Sequence, residues 1–267
     1  TKGDPQAVVS LYNSTDVLTQ NLLLLDSGGH GYFEAALYHP SNKRASNNIQ
    51  NIGAIVLNIA GTAVGWDDRV ASSGNLLEDS VLWKARSAIA INGAAHSGSL
   101  NRLTVGKISS SGINDWKAGY LFSIKNSLIW EVSAKSLRSV VHENNVCFNP
   151  GCSGEASMNP ATSGLLWLPR IEANSALSRS GAGKTQVGAT VLKRLGVSGT
   201  LHGEPGYNQV TSQDLWPWQN EAAIKYSMCD EVNVATGFCA AASLTSYVWE
   251  QLGKPAPASI ASLTPKP

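Results

Sequence analysis

Trp66-Asp67-Asp68-Arg69 is the one local concentration of charge beside an aromatic residue in this chain. Two adjacent carboxylates with an Arg next to them suit two kinds of sugar chemistry. In a polysaccharide lyase, carboxylates hold a divalent cation such as calcium against the sugar carboxylate. An Arg, Lys or His then removes the proton α to that carboxylate. This assigns the metal to Asp67 and Asp68, and the base or sugar-carboxylate clamp to Arg69, Lys84 or Arg86. In a glycosidase, two carboxylates act at a separation set by the mechanism; here Asp67 or Asp68 would work with Glu34 or Asp115. The same four residues also read as a plain turn, because Asp opens turns and Asp68–Arg69 makes a solvated ion pair.

Aromatic and imidazole groups extend the candidate surface. Trp66 and Trp116 stand beside Asp67 and Asp115, and exposed indoles there would stack on sugar rings. Trp83 and Trp130 end apolar runs and read as core. Of the five histidines (His30, His39, His96, His142 and His202), His39 precedes Pro40 at a strand end. Its phase is close to that of Asp67 and Asn92, so His39 and Asn92 join the substrate-binding candidates. Dispersed histidines equally mark loops. Ser178 to Thr185 imitates a phosphate-binding loop, but its first glycine is replaced by Ser178 and no helix pattern follows. It reads as a Gly-rich turn.

These residues need elements to position them, and the sequence supplies a repeat. A polar residue, then Asn or Asp, then a Leu/Ile/Val run recurs at Asn21, Asn51, Asp79 and Asn126, with a weaker copy at Arg102. The spacing is roughly 23 to 30 residues, the period of a solenoid. The apolar runs are too short for helical repeats, and Gly/Asn/Ser clusters such as Ser72-Ser73-Gly74-Asn75 separate them as turns. Second strand-like pieces lie at Tyr32–Tyr38, Ala63–Trp66, Ala88–Ile91 and Gly119–Ile124. Together these predict an all-β chain folded as a right-handed parallel β-helix. An antiparallel sandwich also has many short strands, but it gives no reason for the recurring Asn/Asp. Further strands are expected at Gly164–Ile171, Gln186–Leu195 and Val197–Leu201. Helical spacing appears at Asn220–Cys229 and Ala242–Leu252, which suggests a small helical cap over the open end of the solenoid, stapled by Trp216-Pro217-Trp218.

Composition narrows the function. Of the 267 residues only 15% are charged, against roughly a quarter in an average domain, and 20 Lys+Arg balance 19 Asp+Glu to a net charge of +1. A chain this neutral has no basic excess to bind nucleic acid through counterion release. No apolar run reaches the ~18 residues of a membrane-spanning helix, so membrane insertion is not expected. The opening at Thr1 reads as a processed or trimmed end. Four cysteines fall in two close pairs, Cys147/Cys152 and Cys229/Cys239, which suggests two local disulfides and an oxidising compartment.

Gly199 to Asn208, Leu215 to Glu221 and Leu244 to Trp249, with Gly65-Trp66-Asp67-Asp68-Arg69 upstream, resemble secreted bacterial right-handed parallel β-helix proteins of the pectin-lyase-like kind. The resemblance covers roughly residues 10–255 and departs at His202, where relatives carry an aromatic residue. It implies a β-helix over 1–210, a capping segment over 211–255 and a tail over 256–267. The expected function is binding or cleavage of an extracellular polysaccharide, with calcium-assisted elimination of a uronate polymer as its catalytic form. The competing expectation is a non-catalytic adhesin or a subunit of an extracellular fibre, assembling as a homo-oligomer or filament.

Overall fold

The computed structural model describes residues 7–35, 46–68, 70–93, 96–115, 121–132, 141–148, 156–159, 162–163, 165, 168–169, 171, 174–197, 200–201, 203–207, 209–229 and 236–252. The chain alternates between two parallel sheets, a broad one and a narrow one. In the first rung β1 (Ala7–Tyr12) enters the broad sheet and β2 (Thr15–Gln20) the narrow one. The short β3 (Leu23–Leu25) and β4 (His30–Ala35) then return to the broad sheet. The second rung has β5 (Asn47–Ile52) in the narrow sheet, and β6 (Ile55–Asp68) spans the width of both β3 and β4. The third repeats this with β7 (Ser72–Glu78) and β8 (Val81–Gly93). The fourth has β9 (His96–Asn101), β10 (Thr104–Gly106) and β11 (Ser111–Asp115). The fifth has β12 (Leu121–Lys125) and β13 (Leu128–Trp130), and the last β14 (Val141–Glu143) and β15 (Val146–Phe148) with β16 (Ala156–Ser157) beside it. Every pair in the two sheets is parallel, so each rung lies in register on the one before.

A repeated corner sets that register. Asn21, Gly53, Asp79, Arg102, Asn126 and Asn144 all have positive φ between a narrow-sheet strand and a broad-sheet strand. Left-handed backbone turns the chain in one residue, and Asn, Asp and Gly tolerate it best. The ladder runs on through the corner: Asn21 N donates to Ile52 O, Asp79 N to Asn101 O and Asn126 N to Glu143 O. The recurring Asn/Asp of the sequence is this corner, with one correction. In the second rung Gly53 makes the turn at φ +74, while Asn51 lies buried two residues earlier in β5.

A second left-handed column follows the short broad-sheet strands at Asp26, Asn58, Lys84, Lys107 and Glu131. Between the two columns each strand is apolar on both faces, as in Ile55-Val56-Leu57 and Val81-Leu82-Trp83. Strands of that kind are covered on both sides. Leu24, Val56, Leu82, Val105, Ile129 and Cys147 stack in register and are buried in the main core. Their neighbours Ile55, Leu57, Val81 and Trp83 belong to a different cluster, shared with the C-terminal segment.

That segment is a strap along the flank, where the sequence suggested a cap over the end. Ala182 N donates to Asn126 Oδ1 in the fifth rung, and Ala189 N to Thr104 Oγ1 in the fourth. Leu195 exchanges hydrogen bonds with the Asn21 side chain in the first, both at 3.0 Å. The strap therefore runs back along the stack. Only Lys193–Leu195 of the expected Gln186–Leu195 strand is extended pairing, as β17 (Lys193–Leu195) against antiparallel β18 (Val210–Asp214). The backbone of residues 186–192 bonds to scattered partners instead: Val187 N donates to Leu177 O, Gly188 N to Asn126 O, and Leu192 O accepts from Leu215 N. The described residues of the expected Gly164–Ile171 strand and of Val197–Leu201 carry no strand.

Helices α1 (Glu221–Met228), α2 (Gly237–Ala240) and α3 (Leu244–Gln251) complete the strap. Ser243 starts α3 with a reciprocal capping box to Ser246, which satisfies two helix-end donors. Val248, Trp249 and Leu252 bury the apolar stripe of α3 against Leu57 and Trp83. Trp216 staples this layer: its Nε1 donates to Val191 O at 2.8 Å, and its ring sits 5.6 Å from Trp249. Cys229 and Cys239 form a disulfide joining α1 to α2, as the spacing suggested. Cys147 is also disulfide-bonded, and Cys152 lies outside the described residues.

Candidate functional site

The acids and the two later cations of the sequence cluster lie at different places along the long strands. Asp67 and Asp68 end β6, in backbone register with Asn92 and Gly93 of β8; the side chains of Asp67, Asp68 and Asn92 are not among those described. Arg69, His39 and Trp116 lie outside the described residues. Lys84 and Arg86 are exposed near the start of the 13-residue β8, while Asn92 is near its end. A strand advances about 3.3 Å per residue, so neither cation stands next to Asp67 and Asp68. Trp66 also departs from the expectation. It is 2% exposed, packs 5.0 Å from the Phe122 ring and belongs to the main core, so it offers no sugar platform. Among the described residues no group of three or more His, Cys, Asp or Glu side chains is placed to hold a metal.

His30 and His96 serve the scaffold. His30 Nδ1 accepts from Thr62 N at 3.0 Å. His96 Nδ1 lies 2.7 Å from Ser72 Oγ, which also accepts from Asn75 Nδ2. The Ser72–His96 pair looks like a nucleophile and its base, but both are sealed in the narrow sheet at 4% and 1% exposure, with no route for a substrate. His202 lies outside the described residues. The phosphate-loop imitation at Ser178–Thr185 is two 3-10 turns docked on Asn126, with no strand before them and no helix directly after among the described residues.

The structure brings together a different set of residues. Trp83 of β8, Gly106 of β10 and Trp130 of β13 are in register on three successive rungs. The two indoles stack at 5.3 Å and 20° across the intervening glycine. A Cβ on Gly106 would lie 2.3 Å from the Trp83 ring, so only glycine leaves room for the stack. The next residue of each rung belongs to the second left-handed column, which places Lys84 and Lys107 side by side, with Glu131 following. Neighbouring strands are about 4.8 Å apart, so the two lysines leave the backbone one rung spacing apart.

The C-terminal strap forms the other wall. Trp83, Lys84, Lys107, Trp130, Leu168, Glu250 and Gln251 enclose a groove of about 180 Å³. Lys84 Nζ donates to Gln251 Oε1, tying wall to floor. Lys107 is exposed and takes part in none of the ion pairs among the described residues. Trp130 Nε1 is a buried donor with no acceptor. Desolvation alone makes such a donor cost about 1–3 kcal/mol, and a ligand oxygen would satisfy it.

One rung further, the strap is pinned. Tyr247 OH donates to Asp26 Oδ1 at 2.7 Å and accepts from Asn58 Nδ2 at 3.1 Å. Burial of the hydroxyl, reinforced by its bond to Asp26, pushes the Tyr247 pKa up to about 12. Tyr247 is therefore a protonated tether at neutral pH.

The sequence held a signal for this groove. Leu-Trp83-Lys84, Val-Gly106-Lys107 and Ile-Trp130-Glu131 are one position of the repeat, read on consecutive rungs. Aligning the repeats on their corner residue stacks two tryptophans and two lysines. The chain matches no protein-family model, no curated protein and no solved structure.

Proposed function

We propose that this chain is a secreted right-handed parallel β-helix, akin to the pectin-lyase-like proteins, that binds an acidic extracellular polysaccharide in the Trp83–Lys107–Trp130 groove. The carrying observation is the juxtaposition of Lys84 and Lys107 with stacked indoles and an unpaired indole N–H. Trp83, itself 2% exposed, backs the half-buried Trp130, so the apolar face of a pyranose packs on the Trp130 ring, its hydroxyls take the Trp130 N–H, and its carboxylate takes an ammonium group. The groove crosses three rungs, so a linear polymer would lie along the stack. A disulfide is compatible with an oxidising, extracellular setting, and no helix among the described residues is long and apolar enough to cross a membrane.

Binding is favoured over cleavage. Calcium-assisted elimination would put the metal on Asp67 and Asp68 and needs a base within reach of the same sugar; Lys84 and Arg86 stand near the opposite end of β8, and Arg69 lies outside the described residues. The test is a panel of polygalacturonate, alginate and glycosaminoglycans against neutral dextran, with calcium present and unsaturated products followed by absorbance. Acidic polymers should bind and release no product. The double variant Lys84→Ala/Lys107→Ala should weaken binding by about tenfold or more, the equivalent of about 1.4 kcal/mol. Equal binding to dextran, or an unaffected double variant, would overturn the proposal.

A further inference from the structure

A trough at the first rung has no part in the proposed glycan site. Leu23, Leu25, Ile224, Met228 and Phe238 line a cavity of about 270 Å³ between β3 and the two helices joined by the disulfide. It continues past Leu25, Met228 and Phe238 into a space of about 590 Å³ that ends at Asp26 and Tyr247. The larger space falls within the range of small-molecule sites, about 300–1,000 Å³, and the smaller lies just below it. Met228 is 61% exposed, an unusual position for a large apolar side chain that has a groove beside it.

The charge at the far end selects the ligand. Asp26 accepts hydrogen bonds from two neutral groups, Tyr247 OH at 2.7 Å and Asn58 Nδ2 at 3.0 Å. The ion pairs among the described residues are Arg102 with Glu78 and Asp79, Lys125 with Glu143 and Lys193 with Asp214, so none reaches Asp26. The nearest lysine of its column, Lys84, is two rungs away and tied to Gln251. Asp26 Oδ2 lies 2.6 Å from where a Cβ on Gly237 would be, so the carboxylate closes the trough between β3 and α2. The phenol of Tyr247 adds an aromatic face beside this carboxylate.

We infer that this trough binds an apolar ligand carrying a cationic head, with the alkyl portion between β3 and α1 and the ammonium at Asp26. The inference does not depend on the glycan proposal. Octylammonium, octanoate and octanol separate the terms by calorimetry, with Trp218 fluorescence as a second readout. Octylammonium should bind saturably and about tenfold or more tighter than octanoate. Asp26→Asn keeps an acceptor for Tyr247 and should erase that preference while octanol affinity stays unchanged. Ile224→Glu, on the half-buried face of α1, should abolish octanol binding. Thermal midpoints and far-ultraviolet circular dichroism show that each variant is folded. Octanoate binding as tightly as octylammonium, no saturable binding of any probe to the folded protein, or a head-group preference that survives Asp26→Asn would overturn the inference.

Discussion

The outward face of the short broad-sheet strands and the outward face of the narrow sheet are built on the same rungs and end differently. On the first, Ile55, Leu57, Val81 and Trp83 are apolar and lie under Val191, Trp216, Val248 and Trp249 of the strap. On the second, Gln50, Ser99, Asn101, Ser123 and Lys125 are half-buried polar residues, and Lys125 pairs with Glu143 across neighbouring strands. Strand pairing holds both faces equally. The pattern of one residue in two decides whether a face recruits a second layer or meets water. Function follows that division, because the groove exists only where a strap edge meets the rung ladder.

Four variants test this contrast. Trp249→Ala removes a fully buried ring from the strap and should cost about 3–5 kcal/mol in chemical denaturation. A loss under about 1 kcal/mol would mean that the strap is not part of the folded unit. Replacing Cys229 and Cys239 by Ser opens a short covalent loop across α1 and α2, with an expected loss of about 2–3 kcal/mol. Gly106→Ala drives a methyl into the Trp83 ring and should cost about 1–3 kcal/mol, with acidic-polymer binding lost in the same assay. Lys125→Ala, on the solvated face, should change stability by less than about 1 kcal/mol. A loss as large as that of Trp249→Ala would erase the distinction between the faces.

The Tyr247 tether adds a pH test of the covered face. Its folded-state pKa is raised to about 12 from the ordinary 10.0, so the unfolded chain gives up this proton first. The stabilisation is therefore present below the unfolded pKa and lost as pH rises through the folded one, between about 10 and 12. Tyr247→Phe should lose that part of the alkaline dependence, measured as the thermal midpoint against pH. An unchanged profile would show that the hydroxyl does not hold the strap.

The rungs were legible because the corner requires a left-handed residue each time, and Asn and Asp advertise it. Asn51 misled by two positions because the neighbouring Gly53 serves better. Leu195 of the strap lies so close to Gly53 that a Cβ there would be 2.7 Å from its Cδ1. α1 and α3 were visible from helical spacing, but their place along the flank was not. That depends on which face of Val81-Leu82-Trp83 is left uncovered by the rungs, a tertiary matter. Trp66 was misjudged for a related reason. It continues the buried run of Ala63 and Val64 in β6, and a neighbouring acid in sequence says nothing about which side of the sheet the indole takes. Trp83, Lys84, Lys107 and Trp130 are distant in sequence and adjacent only through the rung register.

A stack in which each layer touches only its neighbours ordinarily frays from its ends, one layer at a time. Here Ala182, Ala189 and Leu195 fasten a single stretch of chain to the fifth, fourth and first rungs. Distant layers thereby share one fate. The strap converts a linear array into a body that melts as a whole, so its ends are protected by interactions made at its middle.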